Sequence, residues 1–264
     1  MTNLVSLTGF QIKLLFRNYK GLILGFSLPI IMFFIFGNLL SKYSVYDGIP
    51  LSDALVPAYI PIIIINGILI VFGQNFLVYK EQGNLLKYKL LGISEITVAT
   101  SIYIATLLFQ ILATITLIIF ANLTKNVGFP IESSLKIIVA FLLINLFEFS
   151  IVYFVTSFMN KSTTYQSLSL LIFYFQIFLG GLTFPPEMFP TVLKDIVYIF
   201  NPIIYGLEMM RSFWLQNGSI LDNLKEITLL IGWSSFFIAL GTIVNLRKRA
   251  SSSTINNFSI SQND

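Results

Sequence analysis

A single carboxylate interrupts one of the long apolar runs of the sequence. Residues 137–159 contain no Asp, Glu, Lys or Arg other than Glu148. On a helix, Asn145, Val152 and Thr156 fall on roughly the same side as Glu148. A carboxylate among apolar residues can bind a proton or a cation, or it can hydrogen-bond to a neighbouring helix. This stripe is therefore the first candidate functional feature of the chain.

Most catalytic chemistry is excluded by what the chain lacks. It contains no cysteine and no histidine, which removes disulfides, thiolate nucleophiles, imidazole bases and nearly all transition-metal sites. It has no Gly-x-x-x-x-Gly-Lys-Ser/Thr loop, which would cradle phosphates and hold magnesium. Glu148 by itself does not supply the groups that an intramembrane enzyme needs. We therefore expect a protein that is not an enzyme and that binds no cofactor or metal itself.

The composition indicates a membrane protein. Hydrophobic residues make up 56% of the chain and charged residues 11%, against roughly 25% charged residues in soluble domains. A spanning helix needs about 20 mostly apolar residues. Six runs meet this length: 21–40, 54–79, 96–121, 137–159, 162–184 and 227–246. They do not alternate as barrel strands would, so we predict an all-α integral membrane protein with six transmembrane helices.

Basic residues are distributed unevenly over the connections. In the six-span arrangement one side holds ten Lys and Arg residues, and the other holds six together with eight carboxylates. Because cytoplasmic loops collect Lys and Arg, we expect both termini to face the cytoplasm. The net charge of +4 then reflects orientation in the membrane and not binding of nucleic acid. Richness in Ile, Phe, Asn and Lys suits a bacterium of low GC content, in whose cell membrane we place this multi-pass chain.

An amphipathic helix is predicted over residues 3–20. Its polar residues recur at steps of three or four: Ser6, Gly9, Lys13, Arg17 and Lys20. Such a helix suits the cytoplasmic interface, although its basic residues would equally serve as simple anchors of the first span.

At the C-terminal end, residues 250–264 are Ser- and Asn-rich without apolar periodicity, and we predict a disordered cytoplasmic tail. Residues 1–249 form a single transmembrane domain.

The connection between the second and third spans, residues 80–95, is short and charged. Leu85, Leu86, Leu90 and Leu91 repeat within it with helical spacing. We predict a short helix lying across the membrane face. The alternative is an ordinary solvated loop that obeys the positive-inside rule.

The connection between the fifth and sixth spans is rich in Pro and Gly. Residues 192–200 are too short to span and carry Lys194 and Asp195 near their start, which favours a re-entrant helical hairpin over residues 185–211. Its turn-forming residues are either passive turn chemistry or an outer gate. They are Gly180, Gly181, Pro185, Pro186, Glu187, Pro190, Asn201 and Pro202.

The order and spacing of these elements resemble the permease subunit of type-2 ABC transporters, the drug and lipid exporter class. The resemblance covers almost the whole chain. It rests on the basic amphipathic start, on Lys80-Glu81-x-Gly83 with the leucines and Gly92-x-Ser94 that follow, and on the segment from Gly180-Gly181 through Phe184-Pro185-Pro186-Glu187 and Pro190 to Asn201-Pro202 and Arg211. The last of these, placed before a final span, is the most specific.

The resemblance implies that two permease subunits, identical or merely similar, pair with two cytoplasmic ABC ATPase subunits that bind ATP and magnesium. Residues 80–95 would then be a coupling helix that docks into a cleft on the ATPase. The residues implied in coupling are Lys80, Glu81, Gly83, Leu85, Leu86, Lys87, Lys89, Gly92 and Ser94. The polar residues Asn145, Glu148, Thr156 and Gln110 would line the translocation path or a subunit interface, or else make structural contacts between helices.

We therefore expect an ATP-driven exporter of an amphipathic, drug-like or lipid-like compound. The aromatic-rich spans, with 26 Phe in the chain and one embedded charge, favour a hydrophobic substrate. One alternative is a secondary transporter or ion pathway that works alone with Glu148 as its proton or cation site, although the inverted repeats typical of that class are not evident. A second alternative is an immunity protein that sequesters a membrane-active peptide.

Overall fold

The computed structural model describes residues 2–39, 44–45, 49–183 and 189–260. The chain is 85% helix, which confirms the all-α prediction. The helices are α1 (Thr2–Arg17), α2 (Tyr19–Leu39), α3 (Leu51–Ile65), a π-helix (Asn66–Phe72), α4 (Gly73–Glu81), α5 (Asn84–Leu90), α6 (Glu95–Lys125), a 3-10 turn (Ile131–Ser133), α7 (Ser134–Phe158), α8 (Ser162–Leu179), α9 (Thr191–Phe200), α10 (Ile203–Leu215) and α11 (Leu224–Ile260). Two short strands, β1 (Ser44–Val45) and β2 (Ile49–Pro50), pair antiparallel.

Four helical segments of the described chain are long and apolar enough to cross a membrane. They are Ser52–Glu81, Glu95–Lys125, Ile131–Phe158 and Leu224–Lys248. These segments correspond to the second, third, fourth and sixth predicted spans, which are thereby confirmed as long apolar helices.

The helices of the other two predicted spans are shorter or less apolar. The first lies in α2, whose shorter apolar part is Ser27–Leu39. The fifth lies in α8, which has 18 residues and whose first two turns carry exposed Thr163, Thr164 and Gln166. These polar residues lower the mean hydropathy of α8, so the count of six spans stays a prediction.

The continuous span formed by α3, the π-helix and α4 is the centre of the bundle. Within its apolar window 89% of residues are buried, against 17% for α11. Helices α2, α6, α7 and α10 pack against α3, and α8 packs against α4 and the π-helix. A helix that is apolar on every side is stable only when it is enclosed, and residues 54–69 are buried without interruption. We call this span the central helix.

The π-helix in the middle of the central helix is flanked by two side-chain hydrogen bonds. Gln110 of α6 donates to the carbonyl oxygen of Ile64 at 3.3 Å, and Tyr165 of α8 donates to that of Leu69 at 2.6 Å. A Cβ on Gly67 would collide with Gln110, and one on Gly73 would collide with Tyr165. The glycines therefore make room for the side chains that bind backbone carbonyls of the irregular segment.

Helix α1 packs against α6. Leu7 and Leu15 are buried, whereas Lys13 and Arg17 are exposed, and the rings of Phe16 and Phe109 lie 5.0 Å apart. The helix is thus amphipathic, as its sequence pattern indicates. Its location at the membrane interface stays a prediction.

The C-terminal helix differs from the prediction for the tail. Helix α11 continues to Ile260, so residues 250–260 are helical where the sequence predicted disorder. The physical reason is that no Gly or Pro follows Gly241 to end the helix. Residues 261–264 lie outside the described residues.

Candidate functional site

One end of the bundle carries α5, and we call it the α5 end. The sequence predicted a helix over residues 80–95. The structure places a helix of seven residues at the centre of this segment, between Gly83 with φ 70° and Gly92 with φ 74°. Both glycines adopt the left-handed conformation, in which any other residue except Asn or Asp is strained. They set α5 apart from α4 and α6 as a separate short helix.

The outer edge of α5 exposes three leucines. Leu86 is 62% exposed, Leu90 80% and Leu91 74%. Lys87 and Lys89 are exposed beside them. An apolar edge bordered by cations on a short, well-defined helix is a suitable docking surface for another protein.

The inner side of α5 is joined to α4 and α1 through aromatic rings. Leu85 and Tyr88 are partly buried. Tyr88 stacks on Tyr79 of α4 with ring centroids 6.1 Å apart, and burial raises the pKa of Tyr88. The Tyr79 hydroxyl also accepts a hydrogen bond from Gln11 of α1 at 3.0 Å. A displacement of α5 would therefore reach α1 as well as α4.

The last two residues of α4 bind both sides of the turn between α7 and α8. The Lys80 ammonium donates to the carbonyl oxygens of Thr156 at 2.9 Å and Met159 at 3.1 Å. The carboxylate of Glu81 accepts from the backbone N–H of Ser162 at 2.8 Å. A cation at a helix C-terminus and an anion at a helix N-terminus complement the two helix dipoles. We call these contacts the Lys80–Glu81 link.

On the other side of α5, Ser94 begins α6. Its hydroxyl accepts a hydrogen bond from the backbone N–H of Thr97 at 3.1 Å, as an N-cap residue does. The predicted coupling residues therefore divide into three groups. Some face outward (Leu86, Lys87 and Lys89), some shape or cap the turns (Gly83, Gly92 and Ser94), and the rest contact neighbouring elements (Lys80, Glu81 and Leu85).

The predicted polar stripe lies inside a single chain. Asn145, Glu148, Thr156 and Gln110 are all buried. Glu148 accepts a hydrogen bond from the side-chain amide of Gln176 in α8 at 2.8 Å. The hydroxyl of Thr156 donates to the carbonyl of Val152 at 2.8 Å, and Asn145 donates to that of Phe141 at 2.9 Å. These residues make contacts within α7 or between helices.

Gln176 is the partner of Glu148 that the sequence analysis did not single out. It was an isolated amide in an apolar run, and its spacing gave no indication that it meets Glu148. Glu148 and Gln176 are 28 residues apart on different helices. An amide and a carboxylate in separate apolar spans are the one local signal that would have paired them.

The opposite end of the bundle holds the predicted outer gate. A helix, a break and a helix are present as α9, Asn201-Pro202 and α10. Asn201 donates to the carbonyl oxygen of Phe175 in α8 at 3.3 Å, which ties the break to the end of the fifth predicted span. The hydroxyl of Tyr198 in α9 donates to Glu208 in α10.

The glycines and prolines of the predicted gate have different environments. Gly180, Gly181 and Pro202 are buried, and Pro190 is exposed. A Cβ on Gly180 would collide with the backbone of Gln176, so close packing requires glycine there. Pro185, Pro186 and Glu187 lie outside the described residues. Re-entry into the membrane and gating stay predictions.

Comparison with known protein families identifies the chain. A family model described as ABC-2 type transporter matches residues 2–215. No curated protein matches the chain. In the described ranges of the chain, no group of three or more carboxylates is arranged to hold a metal ion.

Proposed function

Because the chain belongs to the ABC-2 type transporter family and is thus an ABC transporter permease in a membrane, we propose that it forms the translocation path of an ATP-driven exporter. A separate cytoplasmic ATPase, present in two copies with bound ATP and magnesium, supplies the energy. The permease pairs with a second copy of itself or with a similar permease. The single observation that carries this proposal is the exposed leucine edge of α5.

The exposed edge of α5 is the surface to which the ATPase binds. Leu86, Leu90 and Leu91 are mostly exposed to solvent, and full burial of a leucine side chain contributes roughly 1.5–3 kcal/mol. Lys87 and Lys89 beside them suit an acidic rim around an apolar cleft. The left-handed glycines fix the direction in which this edge points.

Movement of α5 is transmitted through its fixed contacts. The Lys80–Glu81 link ties the start of the α5 connection to the ends of α7 and α8. Tyr88 and Tyr79 tie α5 to α1 through Gln11. ATPase closure that displaces α5 therefore displaces several helices together. In this way the movement driven by ATP hydrolysis is transmitted to the membrane helices.

The proposed topology has six spans with both termini and the α5 end in the cytoplasm. The excess of Lys and Arg at this end supports it. Helix α1 lies at the cytoplasmic interface, and α9 with α10 forms a re-entrant hairpin whose Gly and Pro residues act as an outer gate. The amphipathic pattern of α9, with exposed Val192, Ile196 and Ile199, supports contact with outer-leaflet lipid.

The exported compound is amphipathic, drug-like or lipid-like. The buried polar residues Asn145, Glu148, Thr156 and Gln110 would face it only when the helices around the central helix separate. The abundance of aromatic side chains, 26 of them Phe, supports a hydrophobic substrate over a sugar or a free ion.

Co-purification tests the proposal. The affinity-tagged chain, extracted from its native host, is expected to bring with it an ATPase with a phosphate-binding loop. A triple variant with Leu86, Leu90 and Leu91 changed to Ser is expected to lose this ATPase. The matched control changes Leu221 and Leu135, which are as exposed but lie at the opposite end of the bundle. ATPase retained by the α5 variant, with coupled transport intact, would contradict the proposal.

A further inference from the structure

Two side chains between α7 and α8 form half of a reciprocal hydrogen-bond pair. The Gln176 amide nitrogen donates to one carboxyl oxygen of Glu148 at 2.8 Å. The second oxygen of Glu148, Oε2, and the amide oxygen of Gln176, Oε1, have no hydrogen-bond partner within the described chain. Both residues are buried, with 0% and 3% of their surface exposed. Two acceptors are thus left over on two planar groups that already share one hydrogen bond.

A third acceptor lies one helical turn away. Asn145 is fully buried and precedes Glu148 by three residues on α7, which places it on the same face. Its nitrogen donates to Phe141, and its oxygen is unpartnered within the described chain. Asn145 thus adds a third unpartnered acceptor to the face of α7 that carries Glu148.

Neighbouring hydroxyl groups do not supply the missing donor. Their protons are directed to backbone carbonyl oxygens. Ser150 donates to Phe147 at 2.6 Å, Tyr165 to Leu69 at 2.6 Å and Ser169 to Gln166 at 3.0 Å. These three buried hydroxyl groups of α7 and α8 are therefore already in use.

The cations on the described elements packed around this pair are placed away from Glu148. Lys80 of α4 binds the carbonyl oxygens of Thr156 and Met159, about two helical turns or more along α7 from Glu148. Helix α8, the π-helix and the middle of α11 carry no Lys or Arg, and α3 carries one carboxylate, Asp53, near its start. Tyr165 is a titratable group of α8, and its hydroxyl is bound to the carbonyl oxygen of Leu69. The buried cation of α10 is Arg211.

Arg211 of α10 lies beside an earlier part of α7 than Glu148, nearer the start of that helix. Gly206 of α10 packs against Ile144, and Asn217, just beyond α10, binds Lys136 at 2.6 Å. Helix α10 therefore runs from the level of Ile144 towards the start of α7. Arg211 lies between these levels, more than a helical turn from Glu148.

We propose that Glu148 and Gln176 form a buried proton-binding site, in which one proton taken from water adds to Oε2 of the Glu148 carboxylate and is donated to Oε1 of Gln176. The bond formed is O–H, and the carboxylate becomes a neutral carboxylic acid. The acid and the amide then each donate one hydrogen bond and accept one, so a single proton satisfies both unpartnered atoms. The same proton removes a charge that apolar surroundings disfavour.

The site lies where proton binding can depend on the packing of α7 against α8. Helices α7 and α8 meet at Glu148 and Gln176, and the Lys80–Glu81 link joins the same two helices at the α5 end. Loss of the proton leaves an ionised group between α7 and α8 and favours their separation and hydration. Proton binding thus stabilises the closed arrangement of these helices, whether or not an ATPase drives them.

Infrared spectroscopy of the purified full-length protein in lipid nanodiscs tests the proposal. The chain is prepared with glutamate isotopically labelled at the side-chain carboxyl. At neutral pH we expect the carbonyl band of a carboxylic acid in the wild type and in Glu226→Gln, and its loss in Glu148→Gln. Absence of that band from the wild type would overturn the proposal, and this readout does not require any variant to fold.

Thermal unfolding across mildly acidic to alkaline pH gives an independent readout. The wild-type Tm is expected to fall as pH rises, whereas Glu148→Gln, which keeps a reciprocal amide pair, is expected to stay level. A Tm that rises with added sodium in the wild type and not in Glu148→Gln would identify a cation site instead and overturn the proposal. An equal fall of Tm with pH in both proteins would also contradict it.

Discussion

Lys80 and Glu81 are adjacent in sequence and bind opposite sides of one turn. The Lys80 ammonium lies 2.9 Å from the carbonyl oxygen of Thr156 in α7, and the Glu81 carboxylate lies 2.8 Å from the backbone nitrogen of Ser162 at the start of α8. Each charge meets the helix end that it complements. The connection that leads into α5 is thereby fixed to the second turn at the same end of the bundle.

Removal of the Lys80 charge should loosen the turn between α7 and α8. In Lys80→Met, two carbonyl oxygens lose a cationic donor while the aliphatic stem is kept. Because Lys80 is only partly buried, we expect the free energy of unfolding to fall by about 1–2 kcal/mol. Reversible denaturant unfolding in mixed micelles measures this change. Lys87→Met is the control, since Lys87 is exposed and donates to Asn84 in its own turn, and an equal loss there would remove the special role of Lys80.

Gly73 should be intolerant of any side chain. A Cβ at this position would collide with the Tyr165 ring and lie 3.0 Å from Val152, so Gly73→Ala forces Tyr165 away from the carbonyl oxygen of Leu69. We expect a loss of about 1–3 kcal/mol in stability, as for an overpacked core. The control is Gly232→Ala, because nothing lies within 4 Å of the added atom there. Equal melting temperatures for the two variants would show that the contact is not tight.

The loop before α11 should become less ordered in acid. The backbone N–H of Ser219 donates to the Asp222 carboxylate at 2.9 Å, and this bond lowers the pKa of Asp222 below its usual range. A carboxyl group whose pKa is lower in the folded state stabilises the fold above its unfolded-state pKa, and the contribution disappears as the pH falls through the folded-state pKa. The protection factor of the Ser219 amide, which is its intrinsic exchange rate divided by its observed rate at the same pH, should therefore fall at low pH.

Asp222→Asn provides the comparison for this pH dependence. Its side chain does not titrate, so protection at Ser219 should be lower than in the wild type at neutral pH and should not change further in acid. An acid-dependent loss of protection that persists in Asp222→Asn would assign the effect to another group.

The break between α9 and α10 should depend on Asn201. Its amide nitrogen binds the carbonyl oxygen of Phe175, and Asn201 is buried. Asn201→Leu leaves that carbonyl without this donor, which is expected to cost about 1–3 kcal/mol. Proteolysis of intact protein in nanodiscs would detect earlier cleavage between α8 and α9. Gln216→Leu serves as control for loss of an exposed amide, and identical cleavage in both variants would count against the role of Asn201.

The spans that were predicted correctly are those marked by a long apolar run in the sequence itself. Residues 54–79, 96–121, 137–159 and 227–246 are long uncharged or nearly uncharged runs, and each is a long apolar helix in the structure. The runs at 21–40 and 162–184 are interrupted by small or polar residues, so length and apolarity alone do not decide them. The membership of the permease family, inferred from motif order, is confirmed.

The features that escaped prediction depend on partners distant in sequence. The π-helix between Asn66 and Phe72 is stabilised by Gln110 and Tyr165, and no local sequence pattern predicts it. Pairing of Glu148 with Gln176 likewise arises only when α7 and α8 meet. The leucine repeat in residues 80–95 predicted the helix α5. The Lys80–Glu81 link could not be predicted from the sequence, because Lys80 and Glu81 bind backbone atoms of the turn between α7 and α8.

Site-directed cross-linking tests the central claim most directly. The chain has no cysteine, so Leu90→Cys carries a single thiol on the exposed edge of α5, and Leu221→Cys carries one at the opposite end with similar exposure. With a short thiol-reactive photo-cross-linker in native membranes, we expect an adduct between position 90 and an ATPase that contains a phosphate-binding loop, and none from position 221. An adduct of that ATPase from position 221 and none from position 90 would contradict the assignment of α5 as the coupling helix.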